Sequence, residues 1–205
     1  MGNFNELSVV FQLMKTMKTL ALFDFDGTLY KKDSLIEFTK SAKGNPCFYK
    51  GIVMLSPFLL GLKLGMLDNE KVKIKFLTHF FKNTPVEEFK AITQQFAMTK
   101  IEKDLNKKTF AHFLKHIESK HTVCIVSASC ADWIKPWSDQ YNVKCIGTEL
   151  EIIDQKILGN LATKNCYGAE KVNRIKAVFN IEDYDIIKVY GNGKGDFEML
   201  QLSKG

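Results

Sequence analysis

The chain has 205 residues, 45% hydrophobic and 25% charged, which suits one folded core with room for a small accessory domain and excludes a fibrous or low-complexity chain. Its five cysteines (Cys47, Cys124, Cys130, Cys145, Cys166) contain no C-x-x-C pair and mostly sit in apolar runs, which argues for buried thiols in a reducing compartment and against a disulfide frame or zinc site. The net charge of +6 is uneven: residues 31–104 hold 13 lysines against 8 acids, so an anionic substrate or surface is indicated there, with a solvated lysine face the equal alternative.

Residues 1–16 precede a second start at Met17 and read as an N-terminal extension. They lack the basic start, apolar core and small-residue cleavage site of a secretory leader, so a cytoplasmic protein is expected.

Thr19 to Asp24 is a short apolar run ending in acids, the pattern of a buried parallel strand that delivers a loop. Residues 31–104 then read as helical throughout. Asp33 or Ser34 can cap a helix through Lys43, which Gly44-Asn45-Pro46 ends. Gly51 to Leu67 is the most apolar stretch of the chain. It is too short for a span, broken by Pro57 and carries Lys63, so a transmembrane helix is rejected. A buried cap helix and an apolar face touching lipid both remain open. Another helix opens at Asn69-Glu70-Lys71, and Thr84-Pro85-Val86-Glu87 predicts a further start, with Thr84 as cap and Pro85 as first helical residue.

After a helix near 105–119, Thr122 to Ser127 reads as a second buried strand. Residues 141–161 are strand-rich, with Asp154-Gln155 as the hairpin turn. Residues 168–180 read as helix, Asp185 to Tyr190 as a third buried strand, and a glycine-rich turn then leads into a helix from Asp196. Strands alternating with helices predict an α/β fold: a doubly wound, Rossmann-like parallel sheet. Residues 17–30 and 105–205 would form its core, and 31–104 a small all-helical cap inserted after the first strand. Ligands of such sheets bind at the strands' C-terminal edge.

Chemistry-bearing residues gather where these strands end. Asp24 and Asp26 are alternate residues leaving the first strand, so one carboxylate can attack phosphorus while the other moves a proton. Gly27 lets the chain turn, and the Thr28 hydroxyl can brace the loop. Ser127, with Ala128 and Ser129 after it, can form an anion nest. Lys171, just inside a helix, can neutralise charge at a transferring phosphoryl group. Asn192 and Asp196 offer oxygen ligands to a hard cation such as magnesium. A dinucleotide loop at Gly191 to Gly195 is disfavoured, because the spacing is not Gly-x-Gly-x-x-Gly and only nine residues follow Asp196 in this sequence.

These pieces, in this order, make the sequence resemble the haloacid dehalogenase superfamily from Met17 onward, with a cap similar to that of its phosphoserine-phosphatase-like branch. The motifs fall on Asp24-x-Asp26-x-Thr28, Ser127, Lys171 and Asn192 to Asp196. The resemblance implies a Mg2+-dependent phosphatase working through an aspartyl-phosphate. Asp24 would be nucleophile and metal ligand, and Asp26 general acid/base with its backbone carbonyl on the metal. Ser127 would clamp phosphate, Lys171 would neutralise charge, Asn192 would ligate the metal, and Asp196 would sit near Lys171 or the metal's waters. The family usually has aspartate where Asn192 stands, so weaker metal binding is expected. Relatives often continue into another strand, so a further C-terminal piece is expected beyond Gly205.

The cap layout is also similar to bacterial phosphatidylglycerophosphate phosphatases of the superfamily. Asp33 stands where the phosphoserine enzymes place an acid facing the substrate amine, but residues 31–104 contain no arginine for a substrate carboxylate. The substrate therefore stays open between a lipid head group and a small phosphorylated metabolite. Peripheral contact with the inner membrane face through the cap goes with the first. A catalytically weakened protein that binds a phosphorylated ligand or a membrane is the competing class. His112 and His116 are spaced like a metal pair but lack a third ligand. Trp133 and Trp137 read as packing, dispersed lysines speak against nucleic acid, and nothing marks an obligate protein partner.

Overall fold

The computed structural model describes residues 17–205, so the extension read over 1–16 lies outside the described residues. β1 (Thr19–Phe23) is followed by α1 (Ser34–Lys43), α2 (Asn45–Lys63), α3 (Asn69–Phe81), β2 (Thr84–Pro85) and α4 (Val86–Phe96). A π turn (Ala97–Ile101) and a 3-10 turn (Glu102–Asp104) lead to α5 (Lys107–Glu118) and β3 (Thr122–Cys130). Then come α6 (Ala131–Ser138), β4 (Lys144–Thr148), β5 (Leu150–Ile153), β6 (Lys156–Leu161), α7 (Ala169–Val178), β7 (Ile186–Tyr190) and α8 (Phe197–Leu200).

The main sheet runs β4-β3-β1-β7, and every pairing in it is parallel. β1 is its centre, with Ala21 opposite Val123 on one side and Lys188 on the other. Alternate side chains of a strand face opposite sides of the sheet, and β1 supplies a core on each. Ala21 and Phe23 join Val123, Ile125 and Phe113, while Leu20 and Leu22 join Cys124, Val126, Ile175 and Ile187. This double burial explains why β1 reads as a continuous apolar run rather than an alternating one. The α/β, doubly wound reading holds.

The insert is helical apart from two segments. Thr84 and Pro85 do not open a helix. They pair with Ile157 and Lys156 as β2 of a small antiparallel sheet, β2-β6-β5, and α4 begins at Val86. The local residues favour a helix start, but Asn83 N–H donates to Ile157 O and Val86 N–H to Gln155 O, so the hairpin wins the backbone. Residues 97–104 leave the α-helical path, widening into the π turn and then tightening into the 3-10 turn. Asp33 caps α1 by accepting from Ile36 N–H, and Asp154 and Gln155, both at positive φ, turn the hairpin as expected.

Aromatic packing joins the insert to the core. Phe38 of α1 stacks on Trp133 of α6 with ring centroids 4.7 Å apart, and the indole N–H of Trp133 donates to Ser34 Oγ. Both tryptophans are buried, so they pack as read.

Candidate active site

Three loops meet at the C-terminal ends of β1, β3 and β7. The first turns immediately after Asp24. The N–H groups of Thr28, Leu29 and Tyr30 all donate to the Phe25 carbonyl, and Gly27 takes φ +75°, which L side chains rarely adopt. This coil folds Thr28 back so that its hydroxyl donates to Asp24 Oδ2 at 3.0 Å. Asp24 N–H donates in turn to Tyr190 O, tying the loop to β7.

Lys171, in the first turn of α7, is 1% exposed. Its Nζ lies 2.6 Å from Asp24 Oδ1, 2.6 Å from Asp196 Oδ1 and 2.8 Å from Val126 O. Burial alone would depress this ammonium, but the two carboxylates outweigh it and hold its pKa above the usual lysine value. Asp196 spends its other oxygen, Oδ2, on the N–H groups of Asn192 and Gly193, so it ties Lys171 to the last loop.

Asp26 faces the insert. Its Oδ1 accepts from Ser34 N–H at 2.9 Å, and its Oδ2 accepts from the Ser34 and Ser129 hydroxyls. Burial, then the charge of Asp33, push its pKa up to about 7 against these hydrogen bonds. It can therefore exist in either protonation state near neutrality, as a group that gives and takes a proton must.

β3, read as ending at Ser127, continues to Cys130, with its register to β4 shifting between Val126 and Cys130. Ser127 Oγ accepts from Ser129 N–H, and Ala128 O accepts from Thr148 Oγ1 and from Lys73 Nζ. Lys73, on α3, also donates to Asn165 Oδ1 at 2.8 Å. It lies near Asp26 and Asp33, but burial dominates and lowers its pKa. Nothing local distinguishes it from the other lysines of the insert, since Lys63 and Lys75 also stand between apolar neighbours.

The cleft over these loops holds about 450 Å³. Asp24, Asp26, Ser127, Ala128, Ser129, Lys171, Asn192 and Asp196 line it from the core, and Asp33 and Lys73 from the insert. Leu35, Ile36, Ile52, Leu59, Leu62, Val72 and Phe76 make the rest of the insert's side apolar. Thr28 stands behind Asp24 rather than in the cleft wall. A larger groove of about 890 Å³ lies by Lys144 and Arg174, away from these carboxylates, and Arg174 is committed there to Glu170, Gly147 O and Lys164 O.

Asn192 Nδ2 donates to Gly27 O at 2.6 Å. The amide is thereby oriented, and its oxygen remains an acceptor. With the Asp24 carboxylate and the Asp26 carbonyl this makes an all-oxygen donor set that fits a hard divalent cation. Among the described residues no three His, Cys, Asp or Glu side chains form a metal-holding group. An ion held by this set would meet a neutral amide at Asn192 rather than a further carboxylate. His112 lays its ring on Tyr190, with centroids 5.6 Å apart. His116 bonds His121 Nδ1 at 2.7 Å and the Tyr190 hydroxyl at 3.0 Å.

The haloacid dehalogenase-like hydrolase family profile matches residues 21–201. Protein CicA of Caulobacter vibrioides (strain NA1000 / CB15N) is 31% identical over 186 residues, covering 90% of this chain and 82% of that protein. Among solved structures, a protein of unknown function from Bordetella pertussis Tohama I superposes with a TM-score of 0.76 at 19% identity, covering 92% of this chain and 88% of that one. A substrate-bound phosphoserine phosphatase superposes with a TM-score of 0.66 at 17% identity, covering 92% and 84%.

Proposed function

The chain belongs to the haloacid dehalogenase-like hydrolase family, and on that premise we propose that it is a Mg2+-dependent phosphatase acting through an aspartyl-phosphate. The observation that carries this reading is the buried Lys171 ammonium held between Asp24 and Asp196. A lysine fixed against one carboxylate, with a proton-transferring acid two residues away, is what in-line transfer to a carboxylate requires.

Asp24 attacks phosphorus, and Asp26, protonated, gives its proton to the departing alcohol oxygen. A water then attacks the acyl-phosphate. Asp26, now ionised, takes the water's proton, which releases phosphate and restores Asp24. Lys171 offsets the charge that builds between Asp24 and the phosphoryl oxygens, while the loop at Ser127 to Ser129 and the hydroxyl of Thr28 hold the reacting groups in register. Mg2+, held by Asp24, the Asp26 carbonyl and Asn192, with Asp196 behind them, would supply further neutralisation of phosphoryl charge.

The apolar wall of the cleft supports a phosphate monoester whose alcohol is at least partly apolar, such as a lipid head-group phosphate, over phosphoserine. A phosphoserine carboxylate would find no arginine in the insert. The relative named phosphoserine phosphatase keeps phosphoserine in the substrate panel. Asn192 favours one alternative, a weakened member that binds a phosphorylated ligand without turning it over.

The deciding experiment is hydrolysis of an aryl phosphate with a magnesium titration, with Asp24→Asn as the inactive control. Turnover that Asp24→Asn abolishes supports the enzyme, and no turnover by the wild type at any magnesium concentration establishes the binder. Phosphoserine and phosphatidylglycerophosphate assayed side by side set the substrate class. Micromolar-range KM for phosphoserine would reverse the preference for a lipid head group.

A further inference from the structure

Helix α2 is apolar on both sides. Phe48, Gly51 and Leu55 are buried against the insert, and Ile52, Leu59 and Leu62 reach the cleft. The outward side should then be polar, and it is not. Tyr49, Val53, Leu60 and Leu64 follow helical spacing along one stripe and are 58%, 72%, 57% and 63% exposed. Met54 beside them and Met66 in the next turn are exposed as well. Of the 17 exposed large apolar side chains among the described residues, eight lie between Tyr49 and Leu67. A patch that concentrated marks an interaction surface.

The charges around it are of one sign. No aspartate or glutamate occurs between Glu37 and Asp68, whereas Lys50 and Lys63 stand on the helix itself. Lys75 of the neighbouring α3 holds its ammonium 5.6 Å from the ring centre of Phe58. A second copy of the chain is a poor occupant, because a two-fold axis would set this face against itself. Lys50 and Lys63 would then meet lysines, with no acid on the face to answer them. Among the described residues no helix is long and apolar enough to cross a membrane. A short apolar stripe rimmed by lysines instead fits the surface of an anionic bilayer.

We propose that the outward face of α2 and the turn to Leu67 seat this protein on anionic lipid bilayers, with Val53, Leu60, Leu64 and Met66 entering the interface and Lys50, Lys63 and Lys75 meeting the head groups. The proposal goes beyond hydrolysis and does not depend on it.

The test is flotation with vesicles of phosphatidylcholine alone and with a minor fraction of phosphatidylglycerol added. The wild type floats with the anionic vesicles and little with the neutral ones. Lys50→Gln and Lys63→Gln each weaken binding about fivefold, and the triple variant Val53→Ser, Leu60→Ser, Leu64→Ser abolishes it. All keep the wild-type melting temperature and aryl-phosphate turnover, because none of these residues lines the cleft. Wild-type protein that stays unbound with anionic vesicles overturns the proposal. So does a sedimentation dimer that the triple variant turns into monomer.

Discussion

Lys171 Nζ and Asp24 Oδ1 lie 2.6 Å apart at the floor of the cleft, the lysine 1% exposed and Asp24 7%. A buried ion pair of this kind is costly to halve. Lys171→Met would leave Asp24 and Asp196 facing each other across an apolar gap, so a stability loss of about 3–5 kcal/mol is expected, read by denaturant unfolding. Adding Asp196→Asn to it should recover part of that loss, since one of the stranded charges is gone. Turnover should fall at least about a hundredfold in both variants. A double variant no more stable than Lys171→Met would show that charge is not what binds these loops.

Asn192 is joined to Gly27 by a bond that an ionised carboxylate cannot make. In Asn192→Asp a carboxylate oxygen would face the Gly27 carbonyl oxygen with no proton between them, where the amide now donates at 2.6 Å. The pair is exposed, so without metal the variant should lose about 1 kcal/mol. With magnesium the added charge should tighten binding roughly tenfold. The natural asparagine would thus exchange metal affinity for a loop clasp that holds without the ion. Melting temperatures with and without magnesium, beside a binding titration, measure both effects. Magnesium affinity equal to wild type would remove Asn192 from the donor set.

What could be read from the sequence was what is local. The apolar run into Asp24 and Asp26 announces a strand end, and the alternation of strands and helices announces the doubly wound sheet. That Lys171 meets Asp24 across 147 positions came only through the resemblance, since no local pattern encodes the distance. Lys73 stayed hidden for the same reason, because its acceptors at Ala128 and Asn165 lie in loops far along the chain. Thr84-Pro85 was misread because its residue types suit a helix start while its hydrogen bonds are made to a distant hairpin.

Lys73 reaches the cleft with Asp26 and Asp33 near it, while its hydrogen bonds go to neutral oxygens. Its acceptors, Ala128 O and Asn165 Oδ1, both lie within reach of Thr148 Oγ1, whose one hydrogen can serve only one of them, so removing the ammonium leaves the other without that donor. Lys73→Met should therefore cost about 1–3 kcal/mol of stability. Inhibition by inorganic phosphate should weaken about tenfold, because a cation beside the loop at Ser127 to Ser129 is lost. Unchanged inhibition would make Lys73 a clasp between insert and core and nothing more.

Gly159 is where α3 lies against the hairpin. It takes φ +83°, and a Cβ there would sit 2.4 Å from Thr78 Cα. Backbone cannot yield as a flexible side chain can, so Gly159→Ala should cost about 3 kcal/mol. Since α3 carries Lys73 into the cleft, the same change should raise KM. A neutral Gly159→Ala variant would mean that the insert shifts freely on the hairpin.

His116 makes stability depend on pH. It is buried against His121 and Tyr190, and its pKa is lowered from 6.5 to about 4 by that burial, helped by the charges of His121, His112, Lys115 and Lys188. The unfolded chain then binds the proton more readily than the folded one between pH 4 and pH 6.5. Stability is therefore full above pH 6.5 and falls as the pH drops through that window. The loss attributable to His116 between pH 7 and pH 4.5 should be about 2 kcal/mol. His116→Gln cannot take up the proton, so it should be less stable than wild type at pH 7 but lose less on acidification. Unfolding free energies of both proteins across this range give the two slopes. Parallel slopes would place the acid sensitivity in carboxylates instead.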